Sequence, residues 1–175
     1  MGFELSRRRL ASLVLGGAGL AVAGRADMAA AASGTAERPL LTVTGKISAP
    51  DGAASLRFDR AGLEALGTAS FVTKTPWYPE PVRFEGVPMA RLMASVGASG
   101  DTVVATALND YVTEIPVADF SAYDVLLALK RDGEYMTQRD KGPLFIVYPF
   151  DSDPALQHQR FYSRSAWQLA RLVVR

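Results

Sequence analysis

Three places in the sequence set hydrogen-bonding side chains beside aromatic rings. The stretch LFIVYPFDSDPALQHQRFYSRSAWQL, Leu144 to Leu169, carries Phe145, Tyr148, Phe150, Phe161, Tyr162 and Trp167 among prolines, aspartates and arginines. Asn109-Asp110-Tyr111 puts an amide and a carboxylate directly before a phenol, and Lys141-Gly142-Pro143 leads into the aromatic stretch. Rings next to polar groups suit a flat ligand with polar edges: the faces stack and the edges hydrogen-bond. Each group also has a plain structural use. Asn109-Asp110 reads equally as a tight turn or a ligand contact. Arg164, between Tyr162 and Trp167, reads equally as an internal stacking partner or a ligand contact. Lys141 reads as a solubilising hairpin-edge lysine.

Other chemistries are excluded. The chain has no cysteine, so thiolate catalysis, thiolate metal ligation and iron–sulfur centres are absent. Its one histidine, His158, leaves too few ligands for the common zinc and non-haem iron sites. His158 has no acidic or hydroxyl partner in sequence and reads as a loop residue, which leaves Ser163 and Ser165 without a base. No nucleophile elbow, phosphate-binding loop or dinucleotide fingerprint occurs.

The elements that must position these residues follow from pattern. The first 32 residues read as an export signal: Arg7-Arg8-Arg9, an uncharged run from Leu10 to Gly24, and small residues from Met28 to Ser33. The paired arginines match the twin-arginine type, with Ala11 where a second bulky residue is usual, and the general-secretory route stays open. Cleavage after Ala32 leaves 143 of the 175 residues. Removing four basic residues (Arg7, Arg8, Arg9, Arg25) and two acidic ones (Glu4, Asp27) from totals of 19 and 18 leaves 15 and 16. That balance gives no basic face for nucleic acid and no polybasic membrane patch. A periplasmic location is expected, with no membrane insertion once the signal is removed.

After a flexible tail over 33–40, one domain is expected from 41 to 175. Alternation predicts strands at Leu41–Ile47, Ser55–Phe58, Ala69–Thr73, Val82–Glu85, Thr102–Ala107, Tyr111–Ile115, Val125–Lys130, Leu144–Tyr148 and Leu169–Val174. Turns are expected at Asp51-Gly52 and Asp132-Gly133, and an irregular loop from Trp77 to Pro81. Asp59 caps a helix running to Leu66, with Gly67 as its stop. In Phe84-Glu-Gly-Val-Pro-Met89, Gly86 turns the chain with a positive φ. Pro88 opens a helix whose apolar face is Met89, Leu92, Met93 and Val96. A short helix or loop starts at Asp153-Pro154. Many short strands, few helices and no βαβ rhythm predict an α+β fold on a mixed or antiparallel sheet.

Phe84-Glu-Gly-Val-Pro, Asn109-Asp110-Tyr111, Leu126-Leu-Ala128 with Asp132-Gly133, Gly142-Pro143-Leu144, Tyr148-Pro149 and Trp167-Gln-Leu with Leu172-Val-Val form an ordered set. The set resembles the oxidoreductase molybdopterin-binding domain family, of sulfite-oxidase-type fold. In that family a cysteine thiolate binds molybdenum; the matching loop here reads Phe71-Val-Thr-Lys-Thr-Pro-Trp77, with Thr75-Pro76 where the thiol would stand. The resemblance therefore implies a pocket for a reduced pterin or molybdopterin-like ligand, with no molybdenum and no catalytic residues expected. It implies stacking by Trp77, Tyr148 or Trp167, an edge contact from Asp110 or Asp151, and tail contacts from Asn109, Lys141 or Arg164, with Thr75 and Tyr111 completing the site. It is similar to a short, exported, cysteine-free branch, some of whose members resemble periplasmic pterin-binding proteins. Those proteins control a membrane-bound diguanylate cyclase or phosphodiesterase, which makes or degrades cyclic di-GMP. Two other readings follow from the same residues: an oxidoreductase with a non-cysteine metal ligand, or a degenerate fold serving only as an interaction module.

Overall fold

The computed structural model describes residues 38–49 and 52–175. The expected export signal, residues 33–37 of the expected tail and Asp51 of the expected turn lie outside them. Strand β1 (Leu41–Gly45) alternates, burying Leu41 and Val43. Strand β2 (Ser55–Phe58) runs into Asp59, whose carboxylate accepts the Gly62 N–H at 2.7 Å and caps α1 (Arg60–Glu64). Strands β3 (Ala69–Thr75) and β4 (Tyr78–Pro88) form a hairpin about Pro76-Trp77. Helix α2 (Met89–Ser95) buries Met89, Leu92 and Met93 at helical spacing. Strands β5 (Thr102–Ala107) and β6 (Val112–Pro116) make a second hairpin, and α3 (Val117–Ala122) follows at once.

Strand β7 (Leu126–Arg131) turns into β8 (Glu134–Tyr135) through Asp132-Gly133, both at positive φ as a two-residue hairpin turn requires. Strand β9 (Phe145–Val147) is followed by a 3-10 turn at Pro154–Leu156, then α4 (Gln159–Arg164) and β10 (Leu169–Val174). One sheet runs β2-β1-β10-β5-β6, and the other β3-β4-β7-β8 with β9 also on β7. The first is mixed, because β1 and β10 pair in parallel; the second is antiparallel throughout. The fold is α+β, as the pattern predicts.

Both sheets feed one apolar cluster. Leu126, Leu127, Ala128 and Leu129 are consecutive and all buried, because β7 is paired on both edges and covered on both faces. Phe84 is fully buried against Phe145, at 5.8 Å between ring centres, and its burial contributes about 1.5–3 kcal/mol.

Three expectations need correction. Trp77–Pro81 is not an irregular loop: Tyr78 onward is strand. Pro79 and Pro81 are accommodated where the β3–β4 register shifts and β7 has not yet joined β4. Gly86 does not turn the chain at a positive φ. It lies within β4 at a bulge, where a Cβ would run into the Leu127 carbonyl oxygen. Pro88 precedes α2 in extended conformation rather than occupying its first turn. Helices α3 and α4 were not expected as such, and both position the site.

Candidate functional site

The cleft is built around Trp77. The β3–β4 turn pushes this indole between four other rings, all edge-on. Their centres lie at 5.3 Å (Phe145), 5.5 Å (Trp167), 6.0 Å (Phe150) and 6.1 Å (Tyr162). Edge-to-face contacts hold an aromatic surface in one orientation.

A second wall comes from the β5–β6 turn. Asp110 sits at φ 63, in the left-handed region that aspartate tolerates, and the Asn109 side-chain Oδ1 accepts the Tyr111 backbone N–H at 3.2 Å. Asn109-Asp110 is thus a turn. The Tyr111 hydroxyl then donates to the Ser163 carbonyl at 2.7 Å, tying that turn to α4. Leu108 N–H donates to the Gln168 carbonyl, anchoring the segment that carries Trp167.

Helix α4 forms the third wall. His158 is its N-cap: the ring Nδ1 accepts the Arg160 N–H at 3.3 Å. Gln159, Tyr162 and Ser163 fall at positions i, i+3 and i+4 and so share one face. Together these segments enclose a cleft of about 210 Å³ lined by Trp77, Asn109, Tyr111, Gln159, Tyr162, Ser163, Ser165 and Trp167. Every lining side chain is neutral. The cleft can stack on a flat ring and hydrogen-bond its edge, but it offers no fixed charge.

Of the residues expected from sequence, Trp77, Asn109, Tyr111 and Trp167 meet here. Gln159, Tyr162, Ser163 and Ser165 were not expected as site residues; the i, i+3, i+4 spacing of the first three was the signal that could have found them. Thr75 and Asp151 lie in a neighbouring depression of about 340 Å³ with Lys74, Pro76, Phe150, Gln157 and Tyr162, so Tyr162 borders both. There Asp151 accepts the Lys74 N–H at 2.7 Å, and Thr75 Oγ1 accepts the Trp77 N–H at 3.3 Å. Lys141 lies outside the cleft, its ammonium 4.8 Å from the Tyr78 ring centre and 5.9 Å from that of Trp167. Asp110 is exposed at the turn and lines neither space.

Two expected contacts are corrected. Tyr148 has no exposed surface, and its hydroxyl donates to Asp119 Oδ2 at 2.8 Å. Burial, reinforced by the Asp119 charge, pushes its pKa far above the ordinary tyrosine value. Its ring belongs to the core and presents no stacking face. Arg164 points the same way: its guanidinium donates to Asp119 Oδ2 at 2.7 Å and does not line the cleft. Asp119, buried on α3, is the partner that sequence reasoning missed.

No residue here offers molybdenum the expected thiolate ligand. The sequence contains no thiol, Thr75 Oγ1 already serves the Trp77 amide, and a hydroxyl is a poor replacement for a soft thiolate. Among the described residues no group of three His, Asp or Glu side chains converges as a metal site. The cleft beside Trp77 and Trp167 offers ring surface and neutral hydrogen-bonding groups, the chemistry that a flat, polar-edged ligand requires.

The family model described as the oxidoreductase molybdopterin binding domain matches residues 60–150. A comparison with the curated proteins finds no match. Among solved structures, the chain is similar to the sulfane dehydrogenase SoxCD from Paracoccus pantotrophus, with a TM-score of 0.58 and 17% sequence identity. The alignment covers 77% of this chain and 37% of that one, so the likeness extends to the sulfite-oxidase-type fold and spans little over a third of the relative's length.

Proposed function

The chain belongs to the oxidoreductase molybdopterin-binding domain family, and on that premise we propose that it holds a reduced pterin or molybdopterin-like ligand without molybdenum redox chemistry. The observation that carries this reading is the lining of the Trp77–Trp167 cleft: two indoles and two phenols with neutral amides and hydroxyls, in a chain with no thiol. A pterin presents an exocyclic amine and a ring N–H side by side. The Gln159 amide oxygen accepts no hydrogen bond from any described residue, so it and the Ser165 hydroxyl are the acceptors this edge would meet. The Asn109 amide donates to no described residue and is left to meet a ring oxygen.

The role of such a protein is to report a ligand rather than to transform it. Our reading is a periplasmic sensor that conveys pterin status to the periplasmic part of a membrane-bound diguanylate cyclase or phosphodiesterase. The signal-like first 32 residues and the absence of a nucleophile–base pair support it.

The test is the protein purified from its native host after export. A bound pterin should appear in absorbance and fluorescence, with far less than one molybdenum per chain by elemental analysis. Stoichiometric molybdenum would overturn the reading in favour of a metal-dependent oxidoreductase.

A further inference from the structure

The second sheet ends at β3, and half of that edge is open. Lys74 N–H points away from β4, because it donates to Asp151 Oδ2. Backbone groups alternate along a strand, so those of Val72 and Ser70 point the same way. The pairing agrees: Val72 lies opposite Arg83, whose own N–H and carbonyl turn to Asp132, so the two residues face away from each other. Among the described residues, the outward N–H and carbonyl groups of Ser70 and Val72 have no partner.

Beside this edge lies a groove of about 790 Å³, larger than the pterin cleft. Its apolar floor includes Phe71, Pro88, Phe120, Tyr123 and Leu126, and Pro149, Ser152 and Asp153 also line it. The outer face of the edge carries more basic than acidic groups: Lys74 and Arg83 lie on it, and Glu85, opposite Ser70, is held by Lys130 at 3.2 Å. Val72 is 60% exposed there, with Lys74 on the same row and Arg83 across the strand. Among the described residues Lys74 makes no ion pair and the Arg83 guanidinium bonds only the Ser70 hydroxyl. Asp124 and Asp153 line the groove itself.

We propose that this groove takes an extended segment of a partner protein, added as a strand to β3, with apolar side chains turned to the groove and acidic ones turned out. Unpaired donors and acceptors in the plane of a sheet are complemented by another extended backbone. The added strand's inward row meets Phe71, Phe120 and Tyr123. Its outward row lies next to Val72, Lys74 and Arg83, where opposite charge is favoured across strands. A second β3 edge would bring groove against groove and leave both floors uncovered, so a segment fits better than another copy of the chain. The inference goes beyond the pterin reading and does not depend on it.

The test uses the full chain and two capped peptides, Val-Glu-Val-Glu-Val-Glu and its lysine counterpart. The glutamate peptide is expected to bind at least about tenfold more tightly and to slow amide exchange at Ser70 and Val72. Val72→Pro removes the outward N–H at a sheet edge, where proline is tolerated, and should weaken binding roughly tenfold at unchanged Tm. Should that variant melt early, the paired substitution Lys74→Gln with Arg83→Gln replaces it and should make the two peptides bind alike. Equal binding of both peptides to the unmodified chain, tighter binding of the lysine peptide, or no slowing at Ser70 and Val72 would overturn the proposal. So would slow exchange at those amides without peptide that is lost on dilution, the mark of a second copy on the edge.

Discussion

Arg164 Nη1 lies 2.7 Å from Asp119 Oδ2, the same oxygen that accepts the Tyr148 hydroxyl at 2.8 Å. Asp119 is largely buried and Arg164 only partly, so the pair is a linchpin between α3 and α4 rather than a surface contact. Removing the cation leaves a carboxylate with little water and one donor. Arg164→Ala should therefore lower stability by about 3 kcal/mol, the cost of orphaning a buried charge. Urea unfolding measures it. A cycle with Asp119→Asn should recover much of the loss, because both members of the pair are then neutral.

Tyr148 links the same oxygen to alkaline pH. Its pKa is raised in the folded chain, first by burial and then by Asp119. Above the ordinary tyrosine value of about 10, the unfolded chain gives up this proton while the folded chain keeps it. Stability from this residue is complete below that pH and falls as pH rises past it. Tyr148→Phe should cost about 1.5–3 kcal/mol at neutral pH, by taking a donor from a charged group, and should flatten the decline in Tm above pH 10.

Gly86→Ala should destabilise by about 2–3 kcal/mol although its backbone is not left-handed. The added methyl meets the Leu127 carbonyl oxygen and comes 2.6 Å from the Ala128 Cα, both backbone of a buried strand that cannot move aside. Thermal melting measures the loss.

Cleft variants should divide into two kinds. Trp77→Ala removes a ring that four others pack against, so about 3–5 kcal/mol of stability should go with it. Gln159→Ala, on the exposed side of α4, should leave the Tm nearly unchanged and weaken a reduced pterin by roughly tenfold, one hydrogen bond's worth. Titration and melting on the same samples separate the two.

Most strands were legible because alternation and turn residues mark them: the strand from Leu41, expected to Ile47 and ending at Gly45, and the Asp132-Gly133 turn read directly, whereas the division into one mixed and one antiparallel sheet did not, because pairing partners lie far apart in sequence. Half of the cleft was legible for the same reason, since Asn109-Asp110-Tyr111 announces a turn and Trp77 and Trp167 are conspicuous. The strand ending at Tyr148 was read, but the direction of the Tyr148 ring was not, because Phe145 to Tyr148 are all buried and no polar alternate tells which way it points. Asp119 was missed because its six-residue helix shows no capping signal: Pro116 precedes it with no side-chain cap. Arg164 was misread because its partner lies 45 positions away, beyond any local pattern.

The place of β10 in the first sheet sets an order on assembly. It lies between β1 and β5, parallel to one and antiparallel to the other. Until Leu169–Val174 has left the ribosome, the β2–β1 and β5–β6 hairpins cannot join, and β1 and β5 each expose a bare edge. Trp167, two residues before that strand, reaches Trp77 only when the sheet closes. The cleft therefore forms only after both hairpins have been made, and a nascent chain that still shows these two sticky edges is the form that most needs a chaperone.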